Sequence, residues 1–364
     1  MHSDDPFGDS ERRPHTDGPF HPYELGLANR NSGMLLEMLR YDVSPVGLHY
    51  LLTHFDVPYV TDGTWRLDVG GRVHAPQSLA LDDLKHLPAV TLRVTLECAG
   101  NGRATMHPRY PSMPWKYEAV GTAEWTGTPL RQVLQRAGLC DDVVDIACIG
   151  ADRGFDRGQE HAYGRSLPRQ VALREEVLLA WAMNGEPLPP QHGFPLRLIV
   201  PGWYGMASVK WLARIVALSA PYEGFQQVNS YMYRATFDAP PTPVTHMRVK
   251  SLLIPPGVVD FYSRRRLVEA GPTPLFGRAW SGAGVPVTRV EVGIDGAWQD
   301  AVLDAEQGAF AWRGWRSTWT AERGEHVLSC RATDANGETQ PLAARWDVGG
   351  FGNNAAQLID VSVR

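Results

Sequence analysis

The chain has 364 residues, with 35 Lys and Arg against 40 Asp and Glu and a formal net charge of -5 at pH 7. That length exceeds one typical hydrophobic core and predicts two domains. The charge shows no basic stripe, which argues against nucleic acid as a partner and leaves any anion site to be built locally. No stretch approaches the roughly 18 apolar residues of a membrane-spanning helix.

Residues 1 to about 40 are polar and rich in Pro, His and Asp, and predict a flexible or surface-wrapped arm. They lack the apolar core of a secretory signal. Arg12 and Arg13 are followed by Pro, His, Thr and Asp, unlike a twin-arginine signal. The four cysteines, Cys98, Cys140, Cys148 and Cys330, form no C-x-x-C pair and no haem-attachment motif. A cytoplasmic chain with reduced thiols is the expectation.

A mixed domain is expected over residues 41–240. "SLALDDLKHLP" reads as a short helix ended by Pro88. In "VTLRVTLECAGNGR", Val90, Leu92, Val94 and Leu96 alternate with polar residues, so a strand with one apolar face carries Cys98 at its end. Gly100 and Gly102 then open the backbone to unusual geometry and free N–H groups. "TPLRQVLQRAGL" predicts a helix with Thr128 as N-cap, Pro129 at the first position and Gly138 as the stop. "VLLAWAMNGEPLP" predicts a hairpin about Asn184-Gly185, and "PLRLIVPGWYG" and "VKWLARIVALS" predict buried strands.

Proline clusters in "TFDAPPTPVTHMRVKSLLIPPG" mark a domain connection. Beyond it, over 241–364, "RVEVGI", "HVLSCRA" and "AARWDVGG" alternate between "DG", "ANG" and "GAG" turns, which predicts an all-β, immunoglobulin-like sandwich. The chain is therefore expected to be α+β overall.

Four clusters stand out for chemistry: "LLTHFDVP", "LECAGNGR", "IGADRG" and "QHGFPLRLIVPGWYGMASVKW". One reading joins Cys98 to a base, His54 or His192, as a cysteine hydrolase. The residues after Cys98 do not read as the helix N-terminus that would activate a thiol. A structural zinc site lacks further ligands at matching spacing. A third reading places one thiolate on a transition metal whose other ligands come from an organic cofactor, with His, Arg, Lys and glycine backbone holding its phosphate.

"LECAGNGR", "HGFPLRLIVPGWYGMASVKWL" and the following "QVNSY" resemble the sulfite oxidase family of molybdenum-cofactor enzymes in order and spacing. The resemblance implies a molybdopterin-binding catalytic domain, a C-terminal dimerisation domain and a homodimer. It implies that Cys98 ligates molybdenum, and that His54, Asp152, His192, Arg197, Ser208 and Lys210 hold the pterin and its phosphate. Arg103, Trp115 and Tyr231 would form the substrate pocket, with Tyr233 as a nearby alternative to Tyr231. The implied reaction is oxygen atom transfer at a small oxyanion or sulfur-oxo compound, sulfite to sulfate first, with nitrate or S-oxide reduction as the alternative. Electrons would pass to an external acceptor, a cytochrome, another carrier or oxygen, with no haem in the chain. Sulfite-oxidising members carry arginines where this chain has Leu52 and Gly349, and Arg109, Arg153 or Arg157 are the candidates to compensate.

Overall fold

A computed structural model describes residues 20–364 apart from residue 62. The first domain is built on two sheets. In one, Leu67–Gly71 pairs parallel with Leu212–Leu218, which runs antiparallel to Asp145–Asp156 and through it to Gln159–Pro168. In the other, Val90–Glu97, Val120–Pro129 and Leu178–Met183 run antiparallel in that order, and Arg197–Ile199 pairs with the last. The hairpin at Asn184-Gly185 forms as expected, with both residues at positive φ between Leu178–Met183 and Glu186–Pro187.

Two details differ from the sequence reading. The helix Leu130–Ala137 is capped by Pro129 rather than Thr128, because Thr128 and Pro129 are still paired with Leu179 and Leu178. The strand ladder runs directly into the helix, which stops at Gly138 with φ 67. The strand before Cys98 also lacks a solvent face at its end: Thr95 and Glu97 are as deeply buried as Val94 and Leu96. Its polar side is covered by the second domain, since Thr95 N–H donates to Phe310 O and the Thr95 hydroxyl accepts from Trp312 N–H at 2.7 Å.

That second domain stacks two sheets. Lys250–Leu253, Gly271–Trp280 and Arg313–Ala321 form the main body of one. Val287–Ile294, Gly324–Asp334 and Gln357–Val363 form that of the other. Leu253, Leu275 and Trp315 meet Val290, Leu328, Cys330 and Val361 between them in one apolar core. "RVEVGI" and "HVLSCRA" are strands in it, and Asp295-Gly296 makes the predicted tight turn. "AARWDVGG" is not a strand. It leaves the sandwich and packs on the first domain, where Val348 N–H donates to Arg234 O and Asp347 accepts from Arg234 N–H.

Residues 1–19 of the expected arm lie outside the described residues. The remainder is not loose. Pro22–Arg30 is a helix with a reciprocal His21/Glu24 cap, and Met34 and Leu39 enter the main core. Arg278 of the second domain donates to Leu39 O and pairs with Asp42, so this segment straps both domains. Glu24 is fully buried against Arg109. Glu24→Ala removes both this buried ion pair and the reciprocal helix cap with His21, and is expected to cost about 1 kcal/mol or more; urea unfolding of the variant checks this, and a loss within 0.5 kcal/mol (about the scatter of a surface substitution) would refute it.

Candidate active site

Val90–Glu97 delivers Cys98 to the bottom of a cleft, and the chain turns there. Cys98 N–H donates to Ala119 O at 2.9 Å, while Asn101 N–H returns to Cys98 O. The turn needs glycine at 100: a Cβ there would lie 2.5 Å from the Arg103 guanidinium, which folds back over the loop. One hexapeptide, Cys98 to Arg103, thus presents a thiol and a cation side by side.

The cysteine sits where two cavities meet. Cys98, Leu52, His54 and Tyr231 line both. The narrower one is walled by Asp152, His192, Arg197, Ser208 and Lys210, so the residues expected to hold a cofactor are gathered there. Gly193, at φ 109, allows Arg197 and Lys210 to close on each other, since a Cβ would stand about 3.0 Å from the Lys210 stem. Their charges are held by carbonyls. Arg197 donates to His192 O and Ser208 O at 3.0 and 3.2 Å, and Lys210 Nζ to Leu52 O and Gln191 O at 2.9 and 3.0 Å. Ser208 Oγ accepts from Val200 N–H.

Burial dominates the electrostatics. It brings Lys210 down from 10.5 to about 7, with repulsion from Arg197 adding to the effect, and Arg197 down to about 10. It lowers His54 to about 3 and His192 to about 2, so both imidazoles are neutral at pH 7, and it raises Asp152 to about 6. Arg197 Nε, Asp152 Oδ1 and His49 Nε2 are buried with no protein partner. Two cations facing one carboxylate, with an orphaned donor at Arg197 Nε and orphaned acceptors at Asp152 Oδ1 and His49 Nε2, suit a polyfunctional anionic ligand: phosphate for the cations and a heterocycle N–H for Asp152. The donor set therefore fits a phosphorylated pterin. The cleft measures about 60 Å³ and opens at Cys98 into a second cavity.

The wider cavity, about 840 Å³, holds Arg103, Arg157, Leu52 and Gly349 on its wall. Arg103 is 5 % exposed and donates to Gly349 O at 3.2 Å and Met113 O at 3.0 Å. No carboxylate pairs with it among the described residues. Tyr231 Oη lies 2.5 Å from His54 Nε2, whereas Tyr233 lines neither cavity. Trp115 is buried in one cluster with Cys98, Met113 and Ala119, with its indole N–H toward the Cys98 sulfur, and it lines neither cavity. Of the compensating arginines, Arg109 is bound to Glu24 and Arg153 to Glu160 on the surface, while Arg157 reaches the wall.

His49, Tyr163 and Arg165 were missed from sequence. Tyr163 stacks on His54 at 4.5 Å, and Arg165 lies 5.4 Å over the Tyr231 ring. The alternation of Tyr163 and Arg165 within "HAYGRS" was the available signal for those two, but only the pairing of Gln159–Pro168 with Asp145–Asp156 turns that face toward Asp152. The hydrolase reading loses its base, since His54 is engaged by Tyr231 and no histidine bonds to Cys98 among the described residues. Nor do those residues hold a group of three or more His, Cys, Asp or Glu able to bind a metal on their own.

Residues 54–226 match the oxidoreductase molybdopterin binding domain, and residues 242–363 the Mo-co oxidoreductase dimerisation domain. The chain is 35% identical over 347 residues to mitochondrial sulfite oxidase of Mus musculus, covering 88% of this chain and 62% of that protein. It is 33% identical over 356 residues to nitrate reductase [NADH] 1 of Oryza sativa, covering 88% of this chain and 38% of the other. The chain thus spans less than two thirds of these relatives. The sulfane dehydrogenase SoxCD of Paracoccus pantotrophus has the same fold, with a TM-score of 0.79 at 24% identity over 97% of this chain and 94% of that one. The two matched domains, in this order and over most of its length, make the chain a member of the sulfite oxidase family of molybdenum-cofactor oxidoreductases.

Proposed function

We propose that the chain is a molybdopterin-dependent oxidoreductase that transfers an oxygen atom to or from a small oxyanion, with sulfite oxidation to sulfate as the first reading. The observation that carries it is the placement of Cys98 at the junction of a cation-rich cleft and an Arg103-lined cavity. When bound, the cofactor supplies two-electron oxygen atom transfer. Cys98 would ligate the metal, and His54, Asp152, His192, Arg197, Ser208 and Lys210 would hold the pterin and its phosphate. Arg103, fixed by carbonyls and with no carboxylate at ion-pair distance among the described residues, would bind the oxyanion and stabilise its charge. Tyr231 keeps its proton, because burial pushes its hydroxyl well above 10.0. Its hydroxyl is hydrogen-bonded to His54 Nε2 where the two cavities meet.

Leu52 and Gly349 on the wall of an 840 Å³ cavity favour a second reading, reduction of an S-oxide with an organic body. We read the C-terminal sandwich as immunoglobulin-like and as the contact of a homodimer, which its match to the dimerisation domain supports. Electrons would leave for an external acceptor, since the sequence carries no C-x-x-C-H haem-attachment motif. No helix among the described residues is long and apolar enough to cross a membrane, and all four cysteines are free, which suits a cytoplasmic site of action.

Protein from a host that makes molybdopterin should contain about one molybdenum per chain by elemental analysis, and Cys98→Ser should lose it; metal-free wild type would sink the proposal. Arg103→Met should raise KM for the preferred substrate, among sulfite, nitrate and S-oxides assayed in parallel, by about ten- to hundredfold, the worth of one charge-assisted hydrogen bond. Because the folded chain holds the Lys210 proton less tightly than the unfolded chain, the burden of that charge is full below pH 7 and is relieved as pH rises from about 7 toward 10.5. Cofactor-free protein should therefore gain thermal stability over that range, and Lys210→Met should be more stable at pH 7 and lose the pH dependence. Equal melting temperatures for the two proteins at pH 7 would contradict this.

A further inference from the structure

Glu97 immediately precedes Cys98 and is 1% exposed. Its carboxylate accepts from Lys250 Nζ at 2.8 Å, Trp280 Nε1 at 3.0 Å and Asn101 Nδ2 at 3.0 Å. Lys250 is equally buried and spends a second proton on Asn353 O at 2.9 Å. Lys250 and Trp280 belong to the second domain, on the paired strands Lys250–Leu253 and Gly271–Trp280.

The same domain grips the other side of the cysteine turn. Gly352 N–H donates to Ala99 O at 2.7 Å. Asn353 Nδ2 donates to Gly102 O at 2.8 Å and Thr105 Oγ1 at 3.0 Å. Gly349 O receives Arg103 Nε, and the Phe351 ring lies 5.2 Å from the Arg103 guanidinium. Both chain neighbours of Cys98 are therefore tied to the second domain, while Cys98 itself bonds within the first.

We propose that Lys250 is a positioning residue of the active site: by pairing with Glu97 it fixes the Cys98 turn and cancels a carboxylate charge beside the sulfur. The proposal rests on the reading of Cys98 as the metal ligand. It makes the second domain part of the catalytic apparatus as well as of assembly. Glu97 is a negative charge one residue from a thiolate that must carry negative charge to the metal. With Lys250 the pair is neutral; without it, the carboxylate adds to the electron density at the sulfur.

The sign is the test, because a purely structural pair would not produce one. In the molybdenum-loaded full chain, Lys250→Met should lower the metal's reduction potential and displace its sulfur-to-metal absorption band. Glu97→Gln, which leaves the ammonium uncompensated, should raise the potential. The double variant Glu97→Gln/Lys250→Met, neutral again, should return close to wild type. Variants that lose thermal stability but keep the wild-type potential and band would overturn the proposal. Should Lys250→Met fail to fold, Glu97→Gln alone decides, and an unshifted potential in it overturns the assignment. Wild type without molybdenum would defeat the underlying ligand reading and this proposal together, whereas loaded wild type with unshifted variants defeats this proposal alone.

Discussion

Taking Glu97 and Lys250 out of water is costly unless each charge meets the other and the leftover hydrogen-bonding capacity is filled. Here it is filled from Trp280, Asn101 and Asn353, so the pair forms only when both domains and the cysteine turn are in register. An apolar pair of equal size would hold the domains together as well. What an ion pair adds is direction: a unique geometry in which the strand end, and hence the sulfur, has one place to be.

The cations of the site obey a complementary rule. Arg103, Arg197 and Lys210 are each oriented by backbone carbonyls. A carbonyl dipole aims a cation without cancelling it, whereas a carboxylate does both. Glu97 and Glu24 silence the charges they meet, at a domain seam and under a helix. The cavities keep theirs available for an incoming anion, and the lowered affinities of Lys210 and Arg197 for their protons record what that costs.

Much of this is local and so was legible from the sequence. Period-two alternation found Val90–Glu97, the Asn184-Gly185 pair found its hairpin, and Gly138 found a helix stop. Motif spacing brought His54, Asp152, His192, Arg197, Ser208 and Lys210 to one cleft wall beside Cys98. What failed depends on contacts distant in sequence. "AARWDVGG" alternates like a strand yet joins no sheet, and its Asp347 instead caps Arg234, Gly349 and Phe351 N–H groups. The polar face of Thr95 and Glu97 reads as solvent-facing until a domain 153 positions away is laid on it.

The strap formed by residues 36–42 carries a consequence for how the molecule is made. Leu39 is fully buried, and its carbonyl is satisfied by Arg278, 239 positions later. A chain emerging from the ribosome exposes this segment long before its partner Arg278 exists. Contacts of such range slow folding and prolong exposure of apolar surface. The staple that joins the halves thus ties completion of the first domain's N-terminal segment to a residue made 239 positions later.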